Sequence, residues 1–268
     1  MKFVLSIVAL LPFAAISGNV YYVDPNGDDG NDGKSPESAR QSLVEVMKLT
    51  TANNGDVVYA AEGTYLLKRD GNYRVKIPAG TKLIASGRRS ETVIKGDSAS
   101  DALLDASPWG CGPDAVGGVY LYSGAQLRGF TVTGCYGTAF DGTVAGGGVC
   151  GENRDDCVVY DCVITNNVGG KGAGVFSAVA IRCDVGCNTA AANANLCDSK
   201  AYSCYLHEEN VPGDKYGYGY NKKCTLNGCT IRPKMVGSAD AGVEAEAQMS
   251  VFGAQHPVGA GRAAEDLG

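Results

Sequence analysis

One hexapeptide recurs five times along the middle of the chain, and no other feature limits the fold as strongly. Its first, fourth and sixth places are apolar or cysteine: Leu127, Phe130 and Val132; Val159, Cys162 and Ile164; Ala180, Cys183 and Val185; Ala201, Cys204 and Leu206; Leu226, Cys229 and Ile231. The fourth places follow one another at spacings of 32, 21, 21 and 25 residues. A fixed strand separated by segments of variable length is the signature of a solenoid, in which each coil stacks on the last at about 4.8 Å. Residues at one repeat place then form a ladder. The three apolar places must face a narrow interior filled by stacked small and medium side chains. A second marker, Gly147 to Cys150 and Gly172 to Phe176, precedes two of the strands.

The sequence therefore predicts an all-β protein, a parallel β-helix solenoid over about 51–233. Short β-prone runs with glycine-rich turns begin at Val57. Glycine fills 38 of 268 positions, about twice its average share, as so many turns require. Ahead of the solenoid, 18–50 reads as a cap made of a strand (Asn19 to Val23), a turn-rich loop (Asp24 to Pro36) and an amphipathic helix (Ser38 to Leu49). Residues 1–17, with one lysine, a short apolar run and a small-residue end, read as a secretory signal peptide rather than a membrane span. No later stretch is apolar enough to cross a bilayer, so the expected location is secreted or at the cell surface. Residues 234–268 lose the repeat and read as a low-complexity or disordered tail.

All eleven cysteines lie beyond residue 110. Cys162, Cys183, Cys204 and Cys229 fall on an inward place, where a thiol acts as a small apolar filler. Cys135 and Cys187 are read as outward and as the better candidates for a disulfide. Twenty-three Lys and Arg against 29 Asp and Glu give a net charge of −6, which lacks the basic footprint of nucleic-acid binding.

The run Tyr21 to Gly27, then Asn31, Asp32, Gly33, Ser35 and Pro36, the helix, and Gly55 to Tyr65 resembles the cap and first coil of bacterial right-handed parallel β-helices of the pectin-lyase-like superfamily. The later pattern, Gly146 to Val149 and Cys162 to Asn167, is similar to repeats of exported adhesin-like and polymorphic outer-membrane proteins. The resemblance implies a fold shared by lyases, hydrolases and non-catalytic adhesins, so activity must be argued from side chains.

Lyases of that superfamily use calcium and an Arg or Lys base on an outward ladder. Aligning the coils puts Asp161 and Arg182 at one outward place on successive coils, with Asp184 and His207 nearby and Lys171 in a glycine-rich turn. Arg182, Lys171 and Asp161 are the catalytic candidates; the competing reading is a solvated Asp161–Arg182 ion pair. Asp24, Asn26, Asp28 and Asp32 alternate as oxygen ligands do in calcium loops, or else serve as turn residues that bond their own backbone. Tyr160, Tyr202 and Tyr205, and Tyr216, Tyr218 and Tyr220, offer rings suited to a sugar or protein surface. Two functions are compatible with these residues. One is a non-enzymatic module binding a polysaccharide or cell-surface glycan, with Asp184, His207 and the tyrosines as contacts. The other is a polysaccharide lyase or hydrolase acting on an acidic glycan.

Overall fold

Each turn of the chain lays down three short strands, and three sheets grow from their stacking. In the computed structural model the described residues are 18–67, 74–96, 116–137, 139–140, 143–144, 146–192, 195–210, 224–232 and 249–250. The first sheet has eight parallel strands in chain order, from Val20–Val23 and Val57–Ala60 through Lys82–Ala85, Gln126–Arg128, Val158–Tyr160, Val179–Ile181 and Lys200–Tyr202 to Thr225–Asn227. A second sheet of nine strands includes Thr131–Thr133, Val163–Thr165, Asp184–Ala192, Tyr205–Asn210 and Thr230–Arg232, all parallel. Its last strand, Met249–Ser250, is antiparallel. The third, of five strands, runs from Val75–Ile77 to Leu196–Cys197.

Strand register reproduces the repeat. Leu127 pairs with Val159, Val159 with Ala180 and Ala180 with Ala201; Val132 pairs with Ile164, Ile164 with Val185 and Val185 with Leu206. All of these are buried, as are Phe130, Cys162, Cys183, Cys204 and Cys229. A one-residue slip would turn every one of them to solvent, so burial of this face fixes the register. The cysteines stack at matching places of successive coils, and the Cys183 backbone N–H donates to the Cys204 sulfur at 3.4 Å.

Beside the thiols runs a ladder the repeat did not announce. Asn167, Asn188 and Asn195 are buried, and their side chains bond one another: Asn167 Nδ2 to Asn188 Oδ1 on the next coil at 3.1 Å, and Asn188 Nδ2 to Asn195 Oδ1 on the same coil at 3.0 Å. Their remaining amide groups satisfy backbone partners such as Val132 O and Ile164 O, so no donor is left dry where the chain leaves the second sheet.

At the start, the expected helix over Ser38 to Leu49 is shorter. It spans Leu43–Met47 and is capped by Ser42, while Pro36–Ser38 forms a separate 3-10 turn capped by Ser35. Between them Arg40 is drawn out beside the first strand, its N–H bonding Tyr22 O and its carbonyl receiving Asp24 N–H. That pairing competes with helix for the same backbone groups and wins. Leu43, Val46 and Met47 still bury themselves in the core. Because Val20–Val23 pairs with Val57–Ala60, the cap strand is already a rung of the first sheet.

Cys135 is buried rather than outward, its thiol donating to Thr133 O at 3.4 Å, which removes it as a disulfide candidate. Residues 1–17, the tyrosines at 216, 218 and 220, and nearly all of the tail lie outside the described residues. Among the described residues, no helix is long and apolar enough to cross a membrane.

Candidate functional site

Between the first and second sheets the chain turns on a single residue. That residue is Gly129, Asp161, Arg182, Ser203 or Gly228 on successive coils, each with φ between 52° and 76°. Left-handed backbone here lets every N–H at 161, 182 and 203 bond a carbonyl one coil on, at 2.9 to 3.0 Å. The geometry also throws the side chains at 161, 182 and 203 outward, where they line an open depression of 480 Å³ together with Arg89, Asp184 and Tyr205.

Asp161, Arg182 and Asp184 thus share one depression. An ion pair between Asp161 and Arg182, the solvated alternative, does not form. Asp161 instead faces Arg89, whose Nη1 stands 3.3 Å from Asp161 Oδ1 and donates to the Arg182 carbonyl at 3.5 Å. The Arg89 loop is held down by Thr131, whose hydroxyl donates to the Arg89 carbonyl at 2.7 Å. Arg182 lies over Tyr160, its Nη1 donating to the phenol oxygen at 3.2 Å and its guanidinium carbon 5.6 Å from the ring centre. Arg128 approaches the same ring, at 5.3 Å. A tyrosine between two guanidiniums holds both by its negative face.

Asp184 and His207 make the tightest polar contact of the site. His207 Nε2 stands 2.6 Å from Asp184 Oδ1, and its ring lies 4.8 Å from that of Tyr205. Their strands pair so that His207 faces Gly186, not Asp184. The imidazole reaches back over Gly186, where a Cβ would come within 2.7 Å of its Cε1, so the glycine is what permits the contact. A carboxylate on one imidazole nitrogen fixes the ring's orientation.

Lys171 is not part of this group. It ends the strand Val168–Lys171, on the turn toward the third sheet, and does not line the depression. Tyr202 is half-buried on the outward face of the first sheet, two coils beyond Tyr160. In the acidic loop Asp24, Asp28 and Asp32 each accept the backbone N–H two residues on, at 2.7 to 3.0 Å. The Lys34 N–H and then the Ser38 hydroxyl hold the Asp32 carboxyl below its usual pKa. These are Asx turns, with the carboxylates spent on their own loop. Among the described residues no three His, Cys, Asp or Glu side chains are grouped to hold a metal ion. Two contributors escaped the sequence reading. Ser203 stands in the same repeat column as Asp161 and Arg182, a signal already in the alignment; Arg89 lies upstream of the hexapeptides and carries no repeat signal.

No protein-family model matches the sequence, and no curated protein is similar to it. Several solved structures are similar to it at low identity. A pectate lyase matches with a TM-score of 0.47 at 15% identity, over 79% of this chain and 62% of its own. A rhamnogalacturonan lyase matches at 0.38 and 16%, over 79% and 61%. A lacto-N-biosidase from Eubacterium ramulus matches at 0.40 and 10%, over 79% and 55%. The chain corresponds to about three-fifths of the length of the two lyases. Three sheets wound in coil order, parallel throughout apart from the final short strand of the second, decide the architecture. The fold is a parallel β-helix. On that β-helix the depression sits at the corner between the first and second sheets, across three coils.

Proposed function

We propose that this β-helix is a secreted or cell-surface protein that binds an acidic glycan at the Arg182 depression, without acting on it. The observation that carries the reading is the pairing of Arg182 with an outward aromatic ring: a cation to meet a carboxylate, beside a flat apolar face to meet a sugar. Arg89 and Tyr205 extend the same pair of chemistries across the depression. An adhesin-like role at a cell or host surface is the biological form this binding would take.

A second reading, cleavage by β-elimination, is favoured by one observation, the 2.6 Å contact between His207 and Asp184 beside Arg182. In such a step a base takes the proton next to the uronate carboxyl, the bond to the leaving oxygen breaks, a carbon–carbon double bond forms, and the leaving oxygen is protonated by solvent. The resemblance casts Arg182 as that base; His207, held by Asp184, which lines the depression, is the other candidate.

One experiment separates the two. The full chain is incubated with polygalacturonate and with alginate, with and without calcium, while ultraviolet absorbance of unsaturated product and retention on the immobilised polymer are followed together. Retention with a flat absorbance trace, abolished by Arg182→Ala, supports the binding module. A rise in absorbance that Arg182→Ala or His207→Ala removes replaces it with a lyase. Neither retention nor product on any acidic polymer overturns both.

A further inference from the structure

Among the described residues Asp56 is the only acid that the fold buries, and solvent does not reach it at all. It stands at the entry to the strand Val57–Ala60, and its two oxygens take three N–H groups. Asn19 N–H and the Asn54 side-chain amide donate to Oδ1 at 2.6 and 2.7 Å, and Thr51 N–H donates to Oδ2 at 2.7 Å. One carboxylate thus ties the base of the cap strand to the loop that follows the cap helix. All three donors are neutral, and among the described residues no Lys, Arg or His forms an ion pair with it. A fully buried acid held by neutral donors alone is stabilised further when a positive charge is supplied within about 4 to 6 Å.

The chain itself can supply that charge. Asn19 N lies 2.6 Å from Asp56 Oδ1, and the Gly18 nitrogen, one residue earlier, is at most about 3.7 Å from Asn19 N, which places it within about 6 Å of the carboxylate. Gly18 is pressed into the same corner. A Cβ on it would come within 2.2 Å of the Gly55 carbonyl and 2.5 Å of the Asp56 nitrogen, so no side chain fits there. Inside a peptide bond the Gly18 nitrogen is neutral, and the bond in question is Ser17–Gly18, where the small-residue end of the apolar leader, Ala15 to Ser17, is read as cut. We propose that hydrolysis of this bond makes Gly18 the amino terminus of the mature protein, and that its α-ammonium is the counter-ion of Asp56, locking the cap to the first coil. Water adds across the bond: Ser17 leaves with a carboxylate, and the proton that carboxylate releases ends on the Gly18 amine. Before the cut Asp56 is buried without that charge, so the cap closes less firmly on the precursor than on the mature chain. This inference shares with the reading above the export of the chain and does not depend on a glycan.

The test expresses the full chain with its leader in an exporting bacterial host and reads the secreted product by intact mass. The product is then pulse-labelled with acetic anhydride across the pH range of an α-amine, folded in buffer and unfolded in urea, and the acetylated amino-terminal peptide is quantified. The expected terminus is Gly18. Its amine titrates about one unit higher in the folded protein than in urea, where it takes the ordinary value of about 7.7 to 8.0, so at neutral pH it is labelled about tenfold more slowly when folded. Asp56→Asn keeps an oxygen for the backbone donors and removes the charge, and it should return the folded titration to the value in urea. Should that variant fail to fold, the comparison of folded and unfolded wild type decides alone. A product that begins at another residue, or a Gly18 amine that titrates alike folded and unfolded, overturns the proposal. A raised titration that survives in folded Asp56→Asn overturns it too, because another carboxylate would then be the partner.

Discussion

Two columns run side by side along the coils, one residue apart in sequence and opposed in what limits their chemistry. The inward one, Phe130, Cys162, Cys183, Cys204 and Cys229, is at most 2% exposed and tolerates only what a narrow core can stack. The outward one, Gly129, Asp161, Arg182, Ser203 and Gly228, is held in the same left-handed backbone throughout, yet its side chains run from none to a guanidinium. The backbone thus fixes position in both columns, but it fixes identity only in the first. Glycine suits the outward conformation best, and it occupies both ends of the column. Asp, Arg and Ser occupy the three middle coils, where the depression lies.

The sharpest way to break this contrast is alkaline titration of the inward column. Contact with the Cys183 thiol, and then burial, push Cys204 up to about 12, against an ordinary 9.0. Burial likewise raises Cys183, and contact with Cys204 raises Cys229. A thiol whose pKa is raised in the fold stays neutral while its unfolded counterpart ionises. Its contribution is therefore complete below 9.0 and is lost as pH rises toward about 12. Stability falls over that window by about 1.4 kcal/mol per pH unit for each such thiol. Urea melts across the window read this slope, and Cys204→Ala should make it shallower. A midpoint unchanged throughout would mean that the column is open to water.

Next in size is Ile164→Ala, which empties a fully buried place between Val132 and Val185. The expected loss is about 3 kcal/mol by chemical denaturation, with glycan binding retained by the folded fraction. Arg182→Gly tests the other column. Relief of left-handed strain, about 1 to 2 kcal/mol, exceeds the extra freedom glycine gains on unfolding, about 0.5 to 1 kcal/mol, so the variant should melt slightly higher. It should also lose glycan binding. Lower stability together with intact binding would reverse the roles given to the two columns.

The same contrast explains what could be read in advance. The inward places recur as Leu, Val, Ala, Phe, Cys and Ile because a stacked core repeats its constraint at every coil, so the coil, the register and the burial of four cysteines were all legible. The asparagine ladder was not, since Asn167, Asn188 and Asn195 lie outside the hexapeptide and bond at irregular spacings. Outward, alignment was enough to bring Asp161 and Arg182 to one column. It could not tell which partner each would choose, because that depends on a loop with no repeat. Lys171 looked equivalent from its glycine-rich turn and falls on another corner of the coil.

Arg89 supplies the smallest effect and the finest test. Its ion pair with Asp161 spans 3.3 Å, with both side chains about two-fifths exposed, so solvent screens most of the attraction. A double-mutant cycle of Arg89→Ala and Asp161→Ala should therefore give a coupling below about 1 kcal/mol in stability. Binding is a different matter. If a glycan carboxylate enters between Arg89 and Arg182, it competes with Asp161 for Arg89. Asp161→Ala would then free a cation and tighten binding, while Arg89→Ala would weaken it. Equal losses from both substitutions would instead place Asp161 itself in contact with the sugar, as an acceptor for hydroxyl groups. The sign of the Asp161→Ala effect, read in the same binding assay as Arg182→Ala, decides whether the outward column presents a cation cluster with a built-in competitor or a mixed polar surface.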